Sequence, residues 1–300
     1  MTVSEFRTAS GARLRPVAER AGDLNWLLLP GGPGIGSESL HGLAEAAGVP
    51  GVTWLVDLPG DGSNMVGGEP FARWPGVLVE AAQALPRAVF VGHSTGGMYL
   101  LSVPELEPLL AGLVLVSSAP HAGWLADFER MVGEHLLPAV DAAGAAYEAD
   151  PTDENLRRLT VASAPWNFTP AGMAAGAEML ARMPYNTAAV DWSARHFGST
   201  YELRWWPAAV PTLIVSGAQD RIVTQRLWDE LLPRLLAEHV DVNLVSRRGS
   251  TPMCDAVVHN APADLIETLS QAGAIPHLSR LDPRTWPVQA REQEVVTGRR

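Results

Sequence analysis

The sequence predicts an α/β fold: a doubly wound, mostly parallel sheet with a helical lid inserted between its strands. Three observations lead there. Short apolar runs of buried-strand type recur along the chain, separated by stretches able to form helices. One of them, residues 88–91, runs into Gly92-His93-Ser94-Thr95-Gly96 and then into an apolar helical stretch, the strand, sharp turn and helix that surround a G-x-S-x-G sequence. Between residues 119 and 206 the strands stop, and helix-like stretches broken by Pro165, Pro170 and Pro184 take their place.

Taken in order, residues 3–19 alternate weakly around a Ser10-Gly11 turn and suit an opening hairpin. Residues 25–30 read as a short apolar run of buried-strand type that empties into the glycine-rich loop Gly31-Gly32-Pro33-Gly34-Ile35-Gly36. That loop has neither the lysine of a Walker A sequence nor G-x-G-x-x-G spacing, so nucleotide binding is discounted. Residues 51–57 give a second strand, followed by a turn in which Asp57, Asp61 and Asn64 are turn-forming residues. A helix is expected over 71–85, broken at Pro75 or started late there, with Pro86 ending it. Further strands follow at 112–118, 211–217 and 240–246. The predicted division is therefore a core of 1–118 and 207–275, a lid of 119–206 and a tail of 276–300 without periodicity.

Composition narrows the function classes. The chain has 300 residues, 47% of them hydrophobic, enough for a sizeable core. A net charge of −11 argues against nucleic acid and anionic membrane surfaces as partners. Every basic residue is arginine, as in proteins of G+C-rich bacterial genomes. The single cysteine, Cys254, excludes an internal disulfide and a multi-cysteine metal site. No leader pattern is visible at the N-terminus, and no apolar run approaches the ~20 residues of a membrane span. The expectation is a cytoplasmic monomer or homodimer that acts on a small molecule, with no cofactor and no metal.

The elbow around Ser94 holds its central residue in a strained conformation. Glycine at 92 and 96 makes room for it, and the serine hydroxyl is pushed clear of the sheet at a helix N-terminus. Trp124, Trp166, Trp192, Trp205 and Trp206 fall in the inserted segment. Each reads singly as core; as a group they imply an aromatic pocket wall.

Four motifs in this order resemble the α/β-hydrolase family, in particular its proline-iminopeptidase-like branch. PGGPG at 30–34 is similar to that branch's HGGPG loop, with Pro30 in place of the leading histidine. DLPGDGS at 57–63 is similar to its D-x-x-G-x-G-x-S turn, GHSTGG at 92–97 is the elbow, and PTLIVSGAQDRIV at 211–223 places Asp220 where the family has its catalytic acid. The resemblance spans residues 6–273. It implies Ser94 as nucleophile, Asp220 as the acid that orients the base, and the backbone N–H groups of Gly32 and Thr95 as an oxyanion hole.

One position departs from the pattern. In the loop after the last strand, Gly249, Pro252 and Asp255 fall into register, and Ser250 stands where the family has its catalytic histidine. Serine is no general base near neutral pH, and loss of the histidine alone costs on the order of 10⁶ in turnover in a well-studied serine protease. Two alternatives follow: an enlarged loop carries His259 into the slot, or the imidazole is absent. His93 is expected to point away from the site, His121 and His196 to be possible pocket residues, and Cys254 to be structural. The leading expectation is a serine hydrolase for an ester, thioester or amide of a hydrophobic small molecule. The alternatives are a non-hydrolytic enzyme of the same fold, a ligand-binding protein and an inactivated variant. Aminopeptidase activity would need lid carboxylates, for which Glu134, Asp141, Glu148 and Asp150 are available.

Overall fold

Across the middle of the molecule, side chains line up strand to strand in two rows, one on each face of a sheet. Leu55, Leu28, Val91 and Val114 are register partners on one face; Trp54, Leu27, Phe90 and Leu113 are partners on the other. Successive residues of a strand point to opposite faces, so continuous apolar runs such as Leu27-Leu28-Leu29 are what a sheet covered on both sides requires. Phe90 is fully buried, and truncating it to alanine is worth about 3–5 kcal/mol.

A computed structural model describes residues 3–66, 68–207 and 209–231. The strands are β1 (Phe6–Arg7), β2 (Arg13–Glu19), β3 (Asn25–Leu29), β4 (Val52–Asp57), β5 (Ala88–His93), β6 (Leu110–Val116) and β7 (Thr212–Val215). Among the described residues they form one sheet in the order β1-β2-β4-β3-β5-β6-β7. The hairpin pairs antiparallel, as does β2 with β4, and every pairing from β4 to β7 is parallel. The expected strand over 240–246 lies outside the described residues.

Helices α1 (His41–Ala46), α2 (Trp74–Ala84) and α3 (Thr95–Leu100) connect the parallel strands. Helix α1 was not foreseen; its Ala44 and the preceding Leu40 pack on the Leu28–Leu55–Val91 face. Helix α2 begins with Pro75 in its first turn and ends before Pro86, where the chain turns into β5. Among the described residues between β6 and β7 come six α-helices, a π-helical turn over Ala194–Gly198 and no strand longer than the isolated bridge from His121 to Glu202. The α-helices are α4 (Trp124–Glu134), α5 (Pro138–Ala149), α6 (Asp153–Ala162), α7 (Ala164–Asn167), α8 (Met173–Arg182) and α9 (Thr187–Ser193). Local capping explains where two of them start. The Thr152 hydroxyl accepts the Asn155 N–H at α6, and Asn186 Oδ1 accepts the Ala188 N–H at α9. No helix among the described residues is long and apolar enough to cross a membrane.

A buried ionic cluster stiffens the sheet next to the glycine-rich loop. Asp57, fully buried, pairs with Arg13 at 2.8 Å and Arg15 at 3.0 Å. Its other oxygen accepts both the Ser37 N–H and the Ser37 hydroxyl. A carboxylate buried this deeply persists only because each oxygen is met by donors.

Candidate functional site

Strand β5 delivers Ser94 into a left-handed conformation, φ 50° and ψ −124°, a placement that costs on the order of 1–3 kcal/mol and survives only where neighbours enforce it. The neighbours are visible. The Ser94 N–H donates to the Val116 carbonyl at 2.9 Å, and the Ser94 carbonyl accepts the Gly97 N–H at 3.0 Å and the Ser118 hydroxyl at 2.9 Å. Glycine is obligatory on both sides: a Cβ on Gly92 would lie 2.6 Å from Gly97 Cα, and one on Gly96 would lie 2.4 Å from the Pro30 carbonyl oxygen.

The glycine-rich loop lies directly on this elbow. A Cβ on Gly31 would come within 2.6 Å of Ser94 Cβ, so the loop backbone rests on the serine side chain. The Thr95 hydroxyl donates to the Gly32 carbonyl at 2.9 Å, tying the loop to the first residue of α3. Thr95 N–H is among the first amides of that helix, which a helix leaves without an internal acceptor. Further along the loop, Gly34 is held at both ends of its backbone. Its N–H donates to Asp61 Oδ1 at 2.6 Å, and its carbonyl accepts the Asn186 N–H at 2.9 Å.

Ser94 opens into a cleft of about 790 Å³ that also takes in His93, Asp220 and Arg221, with Trp166, Phe168 and Met173 from the inserted helices. Asp220 sits in the turn after β7. Its Oδ1 accepts the backbone N–H groups of Ile222 at 3.0 Å and Val223 at 2.9 Å, so the carboxylate is oriented by the turn it closes. Phe168 is seated by a glycine: a Cβ on Gly176 of α8 would lie 2.5 Å from its ring. The tryptophan Trp166 is fixed by donation of its indole N–H to the His135 carbonyl at 2.9 Å and by an edge-on contact with Phe128.

Several expectations need correction. His93 does not point away: it lines the cleft together with Ser94 and Asp220. The positive φ at Ser94 interrupts strand alternation, so adjacent side chains need not oppose each other. Burial holds the His93 imidazole below its usual pKa, with the nearby Asp220 charge working the other way. Of the five tryptophans only Trp166 lines this cleft. Trp205 is buried and donates to the Leu100 carbonyl, Trp206 packs on Trp228, Trp124 on Phe128, and Trp192 on Phe71 and His196. Glu134, Asp141, Glu148 and Asp150 are all exposed and none lines the cleft. His121 accepts the Gly123 N–H and does not line the cleft either.

The structure thus brings Ser94, Asp220 and the Gly32–Thr95 pair to one end of the sheet. Ser250, Cys254 and His259 lie outside the described residues. Among the described residues there is no cluster of three or more His, Cys, Asp or Glu side chains able to hold a metal ion. Sequence reasoning missed His93, and it missed Asn186, whose only signal is an N-cap residue before a helix. It read Asp61 as a turn former without foreseeing its hold on Gly34.

A family model described as the alpha/beta hydrolase family matches residues 26–268. Among curated proteins, a pimeloyl-[acyl-carrier protein] methyl ester esterase of Xylella fastidiosa (strain 9a5c) is 27% identical over 189 residues, 57% of this chain and 66% of that protein. One of the same name from Xanthomonas oryzae pv. oryzae (strain MAFF 311018) is 39% identical over 66 residues, 22% of this chain and 26% of its own length. The matched part is thus under two thirds of these relatives. Among solved structures, an alpha/beta fold family hydrolase from Bacillus anthracis str. Sterne has a TM-score of 0.56 at 14% identity, covering 90% of this chain and 99% of its own. A proline iminopeptidase from Mycobacterium smegmatis has a TM-score of 0.51 at 17% identity, covering 90% and 98%. At such identities the two structures speak for the fold. With four-fifths of its length matched by the family model, the chain belongs to the alpha/beta hydrolase family.

Proposed function

We propose that this chain hydrolyses an ester, thioester or amide of an apolar small molecule, with Ser94 as nucleophile. The observation that carries the reading is the strained Ser94, at the N-terminus of α3 and beneath the Gly31–Gly32 backbone, in one cleft with Asp220. Ser94 Oγ attacks the carbonyl carbon while an imidazole takes its proton. The resulting oxyanion is received by the N–H groups of Gly32 and Thr95, donors fixed in advance and therefore effective without reorganisation. The imidazolium then protonates the leaving group, and water repeats the sequence on the acyl-enzyme.

The imidazole is assigned to His259, oriented by Asp220. Trp166, Phe168 and Met173 supply an apolar wall, which favours an acyl or aryl substituent over a free amine. The esterase names of the curated relatives agree with ester cleavage. A second reading is favoured by Ser250 at the position where the family pattern has histidine: the cleft then binds a ligand, or polarises its carbonyl, without hydrolysis.

Turnover of an activated aryl ester separates the two. With His259 as base, wild type turns over and His259→Ala loses at least about 10³ in kcat. If wild type is inert and Ser250→His gains activity, the second reading replaces the first.

A further inference from the structure

The glycine-rich loop is gripped at Gly34 by the Asp61 side chain and by the Asn186 backbone, and the first of these titrates. Asp61 comes from the turn after β4 and is only 7% exposed. Its Oδ1 accepts the Gly34 N–H at 2.6 Å, short for an N–H···O bond. From the other side Asn186 donates its backbone N–H to the Gly34 carbonyl and its side-chain amide to the Gly60 carbonyl in the same turn. Gly34, with φ +92°, lies close against Asn186: a Cβ there would lie 2.7 Å from the Asn186 carbonyl oxygen.

We propose that Asp61 is a proton-linked positioning residue: in its ionised form it fixes Gly34 and, through the intervening Pro33, the Gly32 backbone that the Thr95 hydroxyl ties to the elbow. This rests on the reading of Gly32 as an oxyanion donor. Asp61 does not touch the reacting atoms; it acts through the loop.

The surroundings make its proton uncertain in a functional range. Burial raises the carboxyl most, the Gly34 N–H pulls it down, and the Asp57 and Glu38 carboxylates push it up again, leaving it at about 7. Arg13 and Arg15 are both paired with Asp57 and Glu38. From α3 the Tyr99 ring closes the other side, its phenol held neutral by burial. The remaining wall, with Pro33, Leu58, Phe71, Trp74 and Trp192 in it, is apolar and adds no charge. Lowering the pH through this range replaces a charge-assisted bond to Gly34 by a neutral one, roughly half as strong.

The test uses wild type and Asp61→Asn, which keeps a carbonyl oxygen for Gly34 but has no proton to lose. Hydrogen exchange of the peptide over residues 30–36, corrected for intrinsic rates, should gain severalfold protection in wild type between pH 6 and pH 8. In Asp61→Asn it should not change with pH. On an activated aryl ester at pH 8, Asp61→Asn should lose about tenfold in kcat with KM within about twofold, and its pH profile should lack one ionisation. Wild-type loop protection that is flat across pH 6–8 overturns the inference, whatever the activity. Absence of ester turnover in wild type counts against the proposed function alone, since the exchange measurement still decides the role of Asp61.

Discussion

The hydroxyl of Thr95 and the carbonyl of Gly32 share a 2.9 Å hydrogen bond, so the residue after the elbow serine holds the loop that lies across it. Thr95 is only 9% exposed. Replacing it with valine keeps the shape and removes the donor. Thr95→Val should lower kcat on an aryl ester by about tenfold, with KM little changed, while Thr95→Ser retains most of the rate. Steady-state kinetics of the two variants check this.

Gly31 touches the serine from above. Its Cβ position lies 2.6 Å from Ser94 Cβ and 3.0 Å from the His93 carbonyl oxygen, closer than atoms settle without a shift. Gly31→Ala should displace loop or serine, and loss of ester turnover should exceed any loss in Tm. A variant with unchanged kcat would show that the loop is free to move.

The inserted helices are fastened near Asp220 by a carboxylate. Asp127 of α4, 3% exposed, meets Arg226 and Arg130, each at 2.6 Å. Burial pushes its carboxyl up, but the two guanidiniums outweigh that and hold it below the usual carboxylate range. A group with a depressed folded pKa adds stability above its unfolded pKa and loses it as the pH falls through the folded one. Asp127→Ala should therefore cost about 1–3 kcal/mol at pH 7, since both arginines are half exposed and partly screened, and the deficit should shrink below pH 4. Urea unfolding at pH 7 and pH 3.5 measures it.

Asp61 carries the opposite sign. Its folded pKa of about 7 lies above the unfolded value of 3.8, so the folded state binds the proton more tightly. Its contribution is intact at acid pH and is lost as the pH rises from about 4 to 7. Asp61→Asn, with no charge to bury, should match wild type near pH 4 and exceed it in Tm by about 4 °C or more at pH 8. A variant that is less stable at both values would contradict the assignment. Gained stability with lost turnover is the trade expected of a strained functional group.

Much of this was legible in the residues because it is local. The elbow needs glycine at 92 and 96, the parallel strands need continuous apolar runs, and Pro75 and Pro86 bracket α2. Asp220 was pointed to by the resemblance of residues 211–223 to the family's motif after a late strand. What escaped depends on contacts between distant segments. The grip of Asp61 on Gly34 spans 27 positions and that of Asn186 on Gly60 spans 126, and no short pattern encodes either. The tryptophans misled for a related reason: aromatic residues gather in an insertion both to build its core and to line a pocket, and only tertiary placement separates Trp166 from the rest. His93 was expected to point away because it precedes the elbow serine, yet it lines the cleft, and the positive φ at Ser94 means that the two side chains need not oppose each other.

Reaction with a fluorophosphonate probe, read by intact mass and peptide mapping, tests the central claim most directly. The account predicts one adduct per chain, on Ser94, absent in Ser94→Ala. No adduct on wild type, or one that persists unchanged in Ser94→Ala, would contradict it.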